Sequence, residues 1–298
     1  MTTTLMHSFK RQLMPLSAVR KNWVSKPKVR RYRMLDQALK GKPVRRIVIK
    51  VGTHVITNKD NRIVGKILAR LVEQIAYLYE QGISSVLVSS GSVIAGKEVM
   101  SRGLKATDKI TRRQVFSAIG QPRMMRHYYN LFQDHGIRCA QVLATKRDFD
   151  LGKHRDNMVN CYEGLLAEGV IPIANEDDAV SLSMSTFTDN DELASLVAEL
   201  VNADMLILLT DIDGLYDGHP EDPNSRLIPH FTVDDPVEQY IRKTNKGEAE
   251  GRGGMESKLR VAKQTARLNI PTFIANGKKD NIITDIVFGV PTGTLITL

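Results

Sequence analysis

Short apolar runs alternate along the chain with longer stretches whose apolar residues return every three or four positions. Residues 46–51 (RIVIKV), 85–89 (SVLVS), 138–145 (RCAQVLAT), 170–174 (VIPIA), 205–210 (MLILLT), 272–275 (TFIA) and 293–297 (GTLIT) have strand length and strand composition. Between them, residues 63–81 carry Ile67, Leu68, Leu71, Ile75 and Leu78 on one helical face and stop at Gly82. Residues 111–135 and 155–168 read as helices ended by Gly136 and Gly169, and 191–201 and 256–268 as two more. Strands that are apolar on both faces and separated by helices predict a parallel sheet covered on both sides. They would form one α/β domain of about 250 residues.

In such a sheet, ligands bind beyond the carboxyl ends of the strands, so the residues there are the candidates for chemistry. The first strand runs out into Lys50-Val51-Gly52-Thr53 and the second into Ser89-Ser90-Gly91-Ser92. The fourth leads to Asn175-Glu176-Asp177-Asp178, and the MLILLT strand to Asp211-Ile212-Asp213-Gly214. Small glycine-containing turns let backbone N–H groups approach an anion, and a helix N-terminus adds partial positive charge. A lysine at the end of a central strand is costly to bury unless it meets an anion. The stretch 251–258 (GRGGMESK) is the most informative, because a glycine cluster opens a helix and places Lys258 in its first turn. A cation there opposes the helix dipole unless an anion is present. Together these features predict a phosphate site.

Asp189-Asn190-Asp191-Glu192 opens another helix. Asp189 is an ordinary capping choice, whereas Asn190 and Asp191 beside a phosphate could bind an amine and orient cations. Among the seven histidines, His54, in the first glycine turn, is the only candidate, and no metal-ligand spacing is present. The absence of a G-x-x-x-x-G-K-[ST] stretch excludes the P-loop class.

Composition adds limits. The 298 residues are 42% hydrophobic and 25% charged, a globular profile. Two cysteines, Cys139 and Cys161, exclude a disulfide scaffold and a Cys-rich zinc module. No apolar stretch approaches the roughly 18 residues of a membrane span. The net charge of +9 invites a nucleic-acid reading, but its distribution argues against one. Residues 1–46 hold 13 Lys or Arg against one acid, and the remainder holds 29 basic against 32 acidic residues. The basic excess belongs to an N-terminal extension over 1–45, and the body over 46–298 is slightly acidic. The extension reads as a solvated arm, as an organelle (mitochondrial) transit peptide, or as a nucleic-acid or membrane-surface contact. With no secretory signal, the body is expected in the cytoplasm.

The stretches IVIKVGTHVIT (47–57), VLVSSGSVIAGK (86–97), AIGQ (118–121), IPIANEDDAV (171–180), TDNDELASLVA (188–198), LLTDIDGLYD (208–217), GRGGMESK (251–258) and GTLI (293–296), in this order, resemble the amino acid kinase family. The NEDDAV and TDND pair is most similar to the branch that acts on L-glutamate, alone or fused to a dehydrogenase. The resemblance implies a three-layer αβα sandwich around a mostly parallel open sheet of about eight strands. It implies ATP-dependent phosphorylation of the L-glutamate γ-carboxylate, with Mg²⁺, as the first step of proline biosynthesis.

Carried over by position, the resemblance implies Lys50 and Lys258 as the pair that stabilises the moving phosphoryl group and Asp191 as the acid that orients them. Gly52 and Gly91 are implied as backbone donors to phosphate. Ser90, Gly91, Asp178 and Asn190 are implied on the glutamate. Lys50, Gly52, Thr210, Asp211, Arg252, Gly253, Gly254, Met255, Glu256, Ser257 and Lys258 are implied in the nucleotide site. A homo-oligomer (dimer or tetramer), a glutamyl phosphate reductase partner and feedback inhibition by proline also follow from it, with no membrane partner. Arg252, Asp177 and the basic arm depart from the family pattern, and no PUA domain is expected after the kinase module. The alternatives are a kinase for another small acid and a catalytically weakened nucleotide-binding regulator.

Overall fold

The computed structural model describes residues 32–100, 104–105, 108–180, 187, 189–240 and 254–298. The strands are β1 (Arg46–Val51), β2 (Ser84–Ser89), β3 (Arg138–Ala144), β4 (Val170–Glu176), β5 (Met205–Thr210), β6 (His230–Thr232), β7 (Thr272–Asn276) and β8 (Thr294–Thr297). They form one sheet in the order β3-β4-β2-β1-β5-β7-β8-β6. Every pairing is parallel except β7 with β8. The central strand β1 pairs with β2 on one side and β5 on the other, so the chain reverses its direction of travel across the sheet beside β1. A ligand crevice is expected at the carboxyl end of such a reversal.

The helices are α1 (Arg33–Ala38), α2 (Thr53–Ile56), α3 (Gly65–Glu80), α4 (Ser92–Val99), α5 (Lys109–Gln133), α6 (Lys153–Ala167), α7 (Asn190–Leu200), α8 (Met255–Arg267) and α9 (Ile282–Val287). Alternation along β1 divides the core between two faces. Ile47, Ile49 and Val51 join a cluster with Leu68 and Ile75 of α3, Tyr128 and Phe132 of α5, and Ile283 and Ile286 of α9. Val48 points the other way, into a cluster with Tyr162 of α6, Val197 of α7 and Leu259 and Ala262 of α8. Helices therefore cover both faces, which gives the three layers. Lys50 shares the parity of Val48, so the same alternation that builds the core aims its side chain at α7 and α8.

Several elements differ from the sequence expectation. β4 runs through Asn175 and Glu176, which pair with Leu143 and Ala144 of β3. Their side chains are buried but polar, so an apolar-run criterion stops the strand too early. β6 is three residues long and pairs only with β8, too short to carry a period. The short helices α1, α4 and α9 also lack a full amphipathic repeat. In α4 and α5, glycines replace apolar side chains at the contact. A Cβ on Gly96 would lie 1.9 Å from the Phe116 carbonyl oxygen, and one on Gly120 would lie 1.7 Å from that of Ser92. The two backbones touch, which fixes Ser92 against Ser117. Residues 1–31 of the basic extension lie outside the described residues. Among the described residues, no helix is long and apolar enough to cross a membrane.

Candidate active site

Three helix N-termini converge on the carboxyl ends of β1, β2, β4 and β5. Helix α7 starts at Asp189, whose carboxylate accepts the Asp191 and Glu192 N–H groups at 2.9 and 3.1 Å. Ser257, in the first turn of α8, donates to the other oxygen of Asp189. This links the two helix starts, and the Thr265 and Ser195 hydroxyls join the same helices one layer deeper, 2.7 Å apart. Helix α4 starts after Gly91, whose φ of +106° is left-handed. A Cβ there would also strike Ile56 at 2.8 Å, so the turn requires glycine.

Between these starts lies a buried triad. Lys50 Nζ is 2.6 Å from Asp191 Oδ1, and Lys258 Nζ donates to Asp191 Oδ2 at 2.9 Å. Asp191 is 0% exposed, Lys50 4% and Lys258 6%. Two cations thus share one anion away from water. Burial, reinforced by the nearby Lys258 charge, pushes the Lys50 ammonium below its ordinary pKa, and Asp191 only partly offsets this. Burial alone would raise Asp191, but the two lysines hold its carboxyl below the usual carboxylate range. Among the described residues, the triad sets two ammonium groups around one carboxylate, with the buried Asp189 carboxylate also acting on Lys50, and the ammonium groups suit a bound anion.

From Asp191 a run of hydrogen bonds leads across the strand ends. The Asn190 side-chain amide donates to Ser90 Oγ at 3.0 Å and to Asn175 Oδ1 at 2.8 Å. Asn175 donates to Ser92 Oγ at 3.4 Å, and the Ser92 and Ser117 hydroxyls lie 3.1 Å apart. Ser117 donates to Asp178 Oδ2 at 2.7 Å. Arg113 of α5 closes the run: its Nε donates to Asp178 Oδ1 at 2.8 Å, and one terminal nitrogen lies 3.5 Å from Glu176 Oε2. The other oxygen of Glu176 accepts the Phe187 N–H at 3.2 Å. A small cavity lined by Ser89, Ser90, Met124, Tyr128 and Asn175 opens beside the middle of this run.

The structure brings Lys50, Lys258, Asp191, Asn190 and Ser90 into one cluster and joins Asp178 to it through Asn175, Ser92 and Ser117. Gly91 and Gly254 sit at the caps of α4 and α8. Gly52 departs from the expectation. Its N–H, expected to be offered to phosphate, is taken by the Leu209 carbonyl oxygen at 3.3 Å. What Gly52 supplies is close approach, since a Cβ would lie 3.1 Å from that oxygen. Thr210 and Asp211 end β5 beside β1, and the Thr210 hydroxyl donates to Asp211 at 3.3 Å rather than to the triad. Met255 is half-buried, while Glu256 and His54 are exposed. Arg252 and Gly253 lie outside the described residues. Sequence reasoning missed Arg113 and Ser117, and it named Ser92 and Asn175 at the strand ends without giving them a role. The buried acids after β4 signalled that a cation was needed, but not which one.

Residues 45–276 match the amino acid kinase family. A glutamate 5-kinase of Bacteroides thetaiotaomicron is 42% identical over 242 residues, covering 81% of this chain and 66% of that protein. One from Chlorobaculum tepidum is 42% identical over 252 residues, covering 84% and 68%. One from Alkaliphilus metalliredigens is 36% identical over 253 residues, covering 84% and 95%. The chain thus spans 66% and 68% of the length of the first two relatives. Among solved structures, a UMP kinase from Bacillus anthracis superposes with a TM-score of 0.61 at 16% identity, over 86% of this chain and 97% of that one. An isopentenyl phosphate kinase gives 0.58 at 19% identity, over 85% and 100%. Identities that low speak to the fold alone. The family match over most of the length, together with these relatives, means that the chain belongs to the amino acid kinase family.

Proposed function

We propose that the protein transfers the γ-phosphoryl group of ATP to the γ-carboxylate of L-glutamate, giving glutamyl 5-phosphate and ADP. The observation that carries this reading is the Lys50–Asp191–Lys258 triad at the meeting of the helix starts. Relatives named glutamate 5-kinase support the choice of acceptor.

The acceptor is already a carboxylate, so no strong base is needed. The obstacle is repulsion between that carboxylate and the phosphates, together with the need for in-line positioning. Fixed ammonium groups aimed where charge develops lower that barrier without reorganising during the reaction. Asp191 holds both lysines in place and keeps them from repelling each other apart. Helix starts α7 and α8 add partial positive charge on the same side. At the other end of the polar run, Asp178 supplies an anion suited to an α-ammonium, and Asn190 and Ser90 lie between the two ends. Among the described residues, no group of three His, Cys, Asp or Glu side chains is placed to hold a metal. Mg²⁺ would be carried mainly by the nucleotide's own phosphates, as is common for this ion.

The test is glutamate-dependent ADP release together with trapping of the acyl phosphate by hydroxylamine. ADP and hydroxamate formed in equal amounts are expected. ADP release that follows another small acid or a nucleoside monophosphate, and not glutamate, would overturn the reading. Glutamyl 5-phosphate is labile, which favours a reductase that consumes it nearby in the cytoplasm. Proline added to the same assay tests feedback inhibition, and sedimentation tests the dimer or tetramer.

A further inference from the structure

Building on the proposed function, we propose that Arg113 is a specificity-determining residue that reads the α-carboxylate of the substrate. Its guanidinium contacts the Asp178 oxygen that the substrate's ammonium would take. Among the described residues, the acid end of the polar run contains two buried carboxylates, Glu176 and Asp178, and one guanidinium facing them. Arg113 is the least buried of the three, with its side chain 36% exposed against 3% for Glu176 and 5% for Asp178. It is therefore the member that can move. It stands on α5, which the glycine contact with α4 fixes, so motion of the side chain need not disturb the helix. The guanidinium has five donors, and only Nε and one terminal nitrogen are engaged among the described residues.

The charge arithmetic favours an exchange. Among the described residues, two carboxylates face one guanidinium there, a setting that suits an ammonium. Asp178 Oδ2 is held by Ser117, whereas among the described residues Oδ1 is held by Arg113 alone. An α-ammonium that takes Oδ1 releases the Arg113 Nε edge, and the α-carboxylate on the same carbon is then an anion within its reach, beside Glu176. One ion pair is replaced by two. A diacid without the amine does not release Arg113, and an α-amide offers the fork one neutral carbonyl oxygen in place of two charged ones. Recognition thus demands the zwitterion rather than either charge alone. A planar fork also suits a carboxylate better than a point charge does.

The experiment measures kcat and KM for L-glutamate and for its α-amide, L-isoglutamine, which keeps the γ-carboxylate and the ammonium. The wild type should prefer glutamate in KM. Arg113→Gln should raise the glutamate KM by about 10- to 100-fold, the range for losing a charged hydrogen bond. It should leave kcat within about threefold and bring the two KM values together. Arg113→Lys should recover part of the preference. If Arg113→Gln does not fold, Arg113→Lys carries the test, with the preference reduced several-fold. An active enzyme whose preference is the same in the wild type and these variants overturns the role of Arg113 alone. So does a variant that raises both KM values equally, as loss of packing would. A wild type that neither binds nor phosphorylates glutamate overturns the proposed function and this inference with it.

Discussion

The two ends of the active-site polar run are electrical opposites built to one plan. At the β1 end, two cations, Lys50 and Lys258, share one anion, Asp191. At the β4 end, two anions, Glu176 and Asp178, share one cation, Arg113. Among the described residues, each trio sets two charges of one sign against one of the other. A ligand that is anionic at one end and cationic at the other completes both. The ends differ in how firmly they are held. The lysine trio is sealed by two helix starts and the bond from Ser257 to Asp189, whereas the acid trio is closed by a half-exposed arginine on a helix outside the strand ends. A fixed end suits transition-state stabilisation, and a yielding end suits binding and discrimination.

This contrast can be broken by substitution. The largest effect is expected for Asp191→Ala, which leaves two buried cations without their anion. Breaking a buried ion pair in this way costs about 3–5 kcal/mol, read by urea unfolding. Saturating ATP should restore part of that loss, because phosphate replaces the missing carboxylate. Asp191 has a lowered folded pKa, so its contribution is present above the ordinary carboxylate range and disappears as the pH falls through the lowered value.

Next, Lys258→Ala should lower kcat by about 10²–10³-fold and move the glutamate KM little. Asp178→Asn should do the reverse, raising the glutamate KM by about 10- to 100-fold while kcat stays near the wild-type value. Equal losses in both parameters for both variants would mean that the ends are not specialised. The smallest effect concerns protons. Lys50 is held below its ordinary pKa by burial and by Lys258, and a bound phosphate favours its charged form. Nucleotide binding at alkaline pH should therefore take up a fraction of a proton, seen by calorimetry in buffers of different ionisation enthalpy. In Lys50→Arg, whose side chain does not titrate, that uptake should vanish.

Much of the lysine end was legible in the sequence. A lysine on a strand of otherwise apolar residues, and another in the first turn after a glycine cluster, are each unfavourable without an anion. The period-two alternation in β1 also gives the side of the sheet. The acid end was legible only in part. Asn175 and Glu176 are polar residues inside a strand, so the polar pattern reads as loop although the pairing with β3 continues. Arg113 joins Asp178 across 65 positions of sequence, and nothing local marks it out among the basic residues of α5. Ser92 and Ser117 meet because Gly96 and Gly120 let two backbones touch, a contact that no hydrophobic period encodes. The Gly52 N–H was assigned to a ligand on motif grounds, but the neighbouring strand's Leu209 carbonyl claims it.

The most direct measurement is a crystal structure with ADP, aluminium fluoride and L-glutamate, in which the fluoride stands for the phosphoryl group in transfer. The account predicts Lys50 Nζ and Lys258 Nζ both within about 3 Å of the fluorine ligands, with Asp191 still between them. A mimic seated between ADP and glutamate but out of reach of either lysine would contradict it.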